Sequence, residues 1–187
     1  MRQQEPGRGG PLGPLDWFKI LPHEPAASSD RLGWAGLEAA RNRAVPGSEL
    51  PAPAITHHRL ILFSRPPEGL DLLYEGVKRH VPPPAGAILV VPAGSPTLWR
   101  WSGSFDSLHI FLEPGLFARV GAEAFGLDGA RVTIPPLDGL ELPHLRTAML
   151  AVDDELGAGC PCPDPFDPGP FLANRITFVP PRRPAVP

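Results

Sequence analysis

Proline and glycine punctuate this chain so densely that few stretches of it can run as long helices. The 187 residues include 28 Pro and 20 Gly, about a quarter of the chain. Proline lacks the N–H that regular structure needs, and glycine frees the backbone to turn. The two are unevenly spread, crowding 5–25 and 161–187, whereas the centre alternates apolar runs with turn residues. That distribution predicts one folded centre between irregular ends. A domain of about 150 residues buries roughly 70% of its unfolded surface, enough for a true core.

Within the centre the apolar pattern has the period of strands. Strands are expected over 37–45, 55–63, 70–74, 77–81, 87–91, 97–101 and 107–112. Over 55–63, His58, Leu60 and Leu62 share one face, and His57, Arg59, Ile61 and Phe63 share the other. The run Ala87, Ile88, Leu89, Val90, Val91 is apolar throughout, as a strand buried on both faces requires. Many short strands with frequent turns predict a sandwich or barrel. After Pro114 the period lengthens: Leu116, Val120 and Ala124 fall at helical spacing, with Gly126 placed as a C-cap. A short strand over 131–134 precedes a second helix, about 141–156. Its stripe is Leu142, Leu145, Met149, Val152 and Leu156.

Both ends read differently. Residues 1–28 form a flexible arm with one apolar cluster, Leu15, Trp17, Phe18, Ile20 and Leu21, able to tack onto the domain or close over a ligand. Residues 159–187 form a Pro-rich irregular tail with nine prolines after Cys160. The net charge of −3 supplies no basic field to draw phosphate backbones. Two cysteines, Cys160 and Cys162, offer no disulfide framework. No apolar run reaches about 18 residues, and 1–25 lack the apolar core of a signal peptide. A cytoplasmic protein without a membrane partner is the expectation.

Gly86, five intervening residues, then Pro92-Ala93-Gly94 fit the pattern G-x5-P-x-G. It starts a strand after one turn and ends it in a sharp corner, and it resembles the second signature motif of cupins. Its setting extends the likeness: Gly33-Trp34, the run 58–63, Tyr74-Glu75-Gly76, Trp99-Arg100-Trp101, the run 108–112, Glu113-Pro114, and the helix from Leu116. Over 29–158 the chain resembles the N-terminal effector-binding domain of AraC-family transcription regulators. The resemblance implies a mainly β fold, a cupin-like double-stranded β-helix (jelly roll) followed by two α-helices. It also implies a small-molecule effector, a homodimer formed through the trailing helices, and a separate DNA-reading domain. Only 28 residues follow Gly159. The expectation is therefore a chain truncated before the helix-turn-helix region, its tail having the composition of a shifted reading frame.

Metal-dependent cupin enzymes resemble one another in a His-x-His…Glu set and a His shortly after the Pro-x-Gly. Here Thr97 stands where that His would be, and no His-x-His occurs. Neighbouring His57 and His58 point to opposite faces of a strand and cannot share an ion; His57, His80 and His109 would have to converge through folding. The expectation is no metal, no cofactor and no catalytic residue, with Asp153-Asp154 as solvated charge. What remains is a pocket. Thr97, Trp99 and Trp101 share one strand face and Ser107, His109 and Phe111 share one on the next, aromatic and polar groups of the kind small-molecule sites use. Tyr74 and Arg59 rank behind them, since a strand Arg commonly lies in water. Two rivals to an effector-sensing domain are a stand-alone cupin enzyme, a metal-dependent isomerase or dioxygenase, and a truncated subunit that pairs with full-length paralogues. The chain is expected not to bind operator DNA specifically. Shift assays at physiological salt should show no sequence preference, and a specific complex at roughly 10⁻⁸ M or tighter would contradict this.

Overall fold

The computed structural model describes residues 10–21, 23–80, 83–129 and 133–159. The first nine residues of the arm, the cysteine pair and the rest of the Pro-rich tail lie outside them. The elements in order are helix α1 (Pro14–Ile20) and strands β1 (Ala27–Ser28), β2 (Leu37–Ala52), β3 (His58–Arg65), β4 (Gly69–Tyr74), β5 (Val77–His80), β6 (Ile88–Val91) and β7 (Thr97–Leu112). They end with α2 (Pro114–Phe125), β8 (Leu137–Leu140) and α3 (Pro143–Ala158). The expected mainly β barrel with two trailing helices is present, joined by the short α1.

The strands pair antiparallel in the order β1-β2-β7-β3-β6-β8, with β4 attached to both β7 and β5. Strand β7 is the spine. Its first half pairs with β2 and β4, for example Trp99 with Leu50 and Leu72, and its second half pairs with β2 and β3. The two strands expected over 97–101 and 107–112 are thus two arms of one strand, not neighbours. The continuity has a local cause. Gly103 takes φ +69 at the corner, and a side chain on the facing Gly47 would come within 3.1 Å of the Gly103 carbonyl. Asp106 fixes the same corner: its Oδ1 accepts hydrogen bonds from the Ala44 N–H at 2.7 Å and from Arg65 Nη2 at 2.9 Å. Register shifts at Asn42/Val45 and Pro46/Ser48 absorb the bend, so β2 runs on through Pro46 and Pro51, well past the expected end near Val45. Over this half β2 is an edge, where a missing N–H is tolerated.

Period-two alternation along these strands sorts the side chains into two cores. Inside lie Val45, Ile61, Phe63, Leu70, Leu72, Tyr74, Leu89, Val91, Trp99, Trp101, Phe105 and Phe111. Outside, under α3, lie Ala39, Leu60, Leu62, Ile88, Val90, Leu108 and Ile110. All four residues of β6 are buried, as the apolar run predicted. Gly86 and Gly94, the ends of the G-x5-P-x-G pattern, take φ of +85 and +80, conformations costly to any residue with a Cβ.

Three expectations change. Half of the strand sought over 131–134 lies outside the described residues and 133–134 are not in a strand; beyond Pro135-Pro136 comes β8, where Leu137 pairs with Val90 and Leu140 with Ile88. The α3 stripe faces the barrel, not a partner: Met149 and Leu156 are buried, and Leu142, Leu145 and Val152 pack beside them. Asp153 is no solvated charge, because its Oδ1 accepts from Arg41 Nε and its carbonyl from Arg41 Nη2, both at 2.7 Å. These charge-assisted bonds hold α3 to β2. Met149→Ala should therefore cost about 2–5 kcal/mol in denaturant unfolding, and changing Met149 and Val152 together to Glu should abolish folding. A folded, stable double variant would show the stripe to be free of the barrel.

Candidate functional site

The inner face of β3 carries Arg59, Ile61 and Phe63, and the inner face of β7 carries Thr97, Trp99, Trp101, Phe105, Ser107, His109 and Phe111. Strand pairing places Arg59 beside Phe111 and Ile61 beside His109. A cavity of about 30 Å³ remains between these walls, bounded also by Leu50, Leu70, Trp17 and Leu21. Since a water needs roughly 10–15 Å³ on this measure, the space holds about two waters.

Of the expected pocket residues, Trp99, Trp101 and His109 line this cavity. Thr97 lies one step behind, its Oγ1 accepting from Trp99 Nε1 at 2.7 Å and so fixing the indole. Phe111 is fully buried and meets Phe18 edge to face at 5.4 Å. Tyr74 is buried in the same core but away from the cavity, its hydroxyl accepting from Ser95 Oγ at 3.3 Å. The three histidines do not converge. His109 is interior, His80 is exposed on β5 beside Asp71 at 2.8 Å, and His57 pairs with Thr56. Among the described residues no three His, Cys, Asp or Glu side chains gather as metal ligands would.

The largest correction concerns Arg59. Expected in water, it is 1% exposed. Its guanidinium lies over two indoles, 4.1 Å from the Trp17 ring centre and 4.9 Å from that of Trp99. Its Nε and Nη1 have no hydrogen-bond acceptor among the described residues. Burial pushes it down to about 9, so at neutral pH it remains a cation. Each cation–π contact returns about 0.5–2 kcal/mol, against a desolvation cost of several kcal/mol for a buried ion. The period-two pattern had already put Arg59 on the face of Ile61 and Phe63, and that face was the signal for an interior position.

Trp17 was the other residue missed. It sits on α1, 2% exposed, and lines the cavity. Over residues 10–21 the supposed flexible arm is docked: Leu12 donates to the Ala54 carbonyl at 2.8 Å and accepts from the Thr56 N–H at 2.9 Å. Proline starts α1, and Lys19 meets Asp16 at 2.7 Å on its outer side.

His109 is held well below its ordinary range, first by burial and then by the charge of Arg59 beside it. Its Nδ1 has no partner among the described residues. Burial also lowers His23, His57 and His58. With folded-state values depressed, the unfolded chain binds more protons as pH falls through about 6.5, so stability is complete above that pH and declines below it. Denaturant unfolding should show a loss of stability between pH 7.5 and 5.5, and His109→Asn should make that loss smaller. An unchanged slope in the variant would mean that His109 takes up its proton in the folded state.

No known protein family's sequence description matches the chain, and no curated protein matches it. Among solved structures it is similar to the EutQ proteins of Salmonella typhimurium LT2 and Clostridium difficile, at 15% and 12% identity over 42% and 41% of this chain, with TM-scores of 0.35 and 0.34. It spans 58% and 51% of their lengths. It is also similar to a cupin 2 conserved barrel domain protein from Salinispora arenicola, at 16% identity over 47% of this chain and 72% of that one, with a TM-score of 0.36.

Proposed function

We propose that this chain is the small-molecule-sensing domain of an AraC-like transcription regulator and carries out no chemistry of its own. The observation that carries the reading is a barrel interior that keeps polar groups unpartnered among aromatic walls. Arg59 and His109 face a cavity bounded by Trp99, Trp101, Phe63 and Phe105. A barrel built only for stability has no use for a buried cation without a counter-charge. A recognition site does, because a few placed polar groups orient a ligand that apolar walls bind. The motif set around Gly86–Gly94 and the two trailing helices supports the AraC-like assignment. Pairing of two such domains then uses the apolar groups that the helices leave exposed, such as Val120 of α2 and Leu150 of α3.

The enzyme reading is disfavoured by residue placement: Thr97 holds the position of the metal-binding His, and it is occupied in bonding Trp99. A melting screen of the purified chain against small metabolites tests the proposal. At about 100-fold excess over Kd a binder adds about 2.7 kcal/mol, or roughly 5–11 °C in a chain of this size. The compound should be recovered unchanged, and Trp99→Ala should weaken its binding about tenfold or more, close to 1.4 kcal/mol. Turnover of the compound, or stoichiometric iron or manganese in the protein, would replace sensing with catalysis.

A further inference from the structure

We infer that the ligand of the barrel is a small aromatic monocarboxylate, bound to Arg59 in the place that the Trp17 indole now fills. This rests on the sensing reading above and adds to it the chemistry of the ligand. The charge argument comes first. Arg59 is buried, its Nε and Nη1 lack acceptors, and no carboxylate among the described residues lies against it. Glu38 shares the inner face of the barrel, opposite Phe111 on β2, but forms no ion pair with Arg59. Glu38 Oε2 is itself buried without a partner among the described residues, so the Arg59 guanidinium has no carboxylate in contact with it, and one ligand carboxylate would supply that contact. A phosphate dianion would leave a second charge unmatched, because His109 is kept neutral by its burial and by Arg59 itself. A guanidinium presents planar N–H donors that suit a carboxylate.

Shape supplies the rest. The remaining space of about 30 Å³ admits no organic molecule, since ligand pockets run to about 300 Å³ and above. Among the walls, Trp17 and Leu21 alone come from the segment ahead of the barrel strands; the others stand on β2, β3, β4 and β7. The removable wall is therefore α1 with the residue that follows it. The guanidinium lies over the Trp17 ring at 4.1 Å and over the Trp99 ring at 4.9 Å. The site thus already accepts a flat aromatic ring. What the indole fails to provide is an anion, and its own Nε1 is left buried without an acceptor. A ligand that carries both ring and carboxylate satisfies Arg59 better than Trp17 does.

Isothermal titration of the full chain with phenylacetate and indole-3-acetate, each beside its neutral amide, tests this directly. Each acid should bind at least about tenfold more tightly than its amide. Trp17→Ala, which removes this wall, should tighten the acids by a similar factor. Arg59→Met should erase the preference for acid over amide and, without ligand, melt no lower than the parent. Arg59→Lys keeps the charge but not the planar donors, and should keep the preference at reduced affinity, so the test survives a poorly folding Met variant. Equal binding of acid and amide, or a preference that persists in Arg59→Met, would overturn the carboxylate assignment while leaving sensing intact. Failure of both acids to bind Trp17→Ala would overturn it too; the sensing reading stands or falls separately, on the metabolite melting screen.

Discussion

Strand β7 is the constraint on which the rest of the structure depends. Its sixteen residues are hydrogen-bonded to β2 along nearly their whole length and to β4 and β3 in turn on the other side. Alternation along it sends every odd-numbered residue from Thr97 to Phe111 inward, apart from the corner glycine Gly103. A slip of one residue would exchange Trp99, Trp101 and His109 for Leu98, Arg100 and Leu108. The corner prevents such a slip, because Asp106 is tied at once to the backbone of β2 and to the side chain of Arg65 on β3. The position of each group around the cavity follows from that single register.

The interior so defined is in conflict with itself. Its walls are aliphatic and aromatic, yet it encloses a guanidinium, an imidazole, Asn42 and Ser107, all buried. Asn42 and Ser107 approach one another at 3.4 Å, and Asn42 also meets His23, where its contact opposes the lowering of that imidazole by burial. Evolutionary repacking for stability alone would replace such groups with apolar ones of equal volume. A sequence that violates local packing rules in its barrel interior is most simply understood as using that place.

Much of this was legible before any coordinates. Alternation placed Trp99, Trp101 and His109 together, and it also placed Arg59 with Ile61 and Phe63; a general preference of Arg for water was allowed to outweigh it. Helical periodicity found α3 and its stripe, but a period names a face and not the surface opposite it. The outer side of the barrel, built from Leu60, Leu62, Ile88 and Val90, was equally apolar and equally in need of cover. The length of β2 was hidden by Pro46 and Pro51, which read as breaks unless a bulge and an unpaired edge accommodate them. Trp17 was unreadable for a different reason: its partners are 42 and 82 residues away, in Arg59 and Trp99, and no local pattern carries such a contact.

The seven residues of α1 are too few to remain helical by themselves, since isolated helices shorter than about 12 residues are marginal in water. The helix exists because the barrel holds Trp17. Undocking is consequently also melting: there is no state in which α1 swings away as a rigid flap. The segment has two conditions, a plug with fixed backbone or a coil, and the coil recovers roughly 1–2 kcal/mol of backbone entropy for each residue freed. This makes the segment a local unfolding unit on a very small scale, held by Trp17 over the charge and aromatics beneath it, by Phe18 against Phe111 and by the backbone bonds of Leu12.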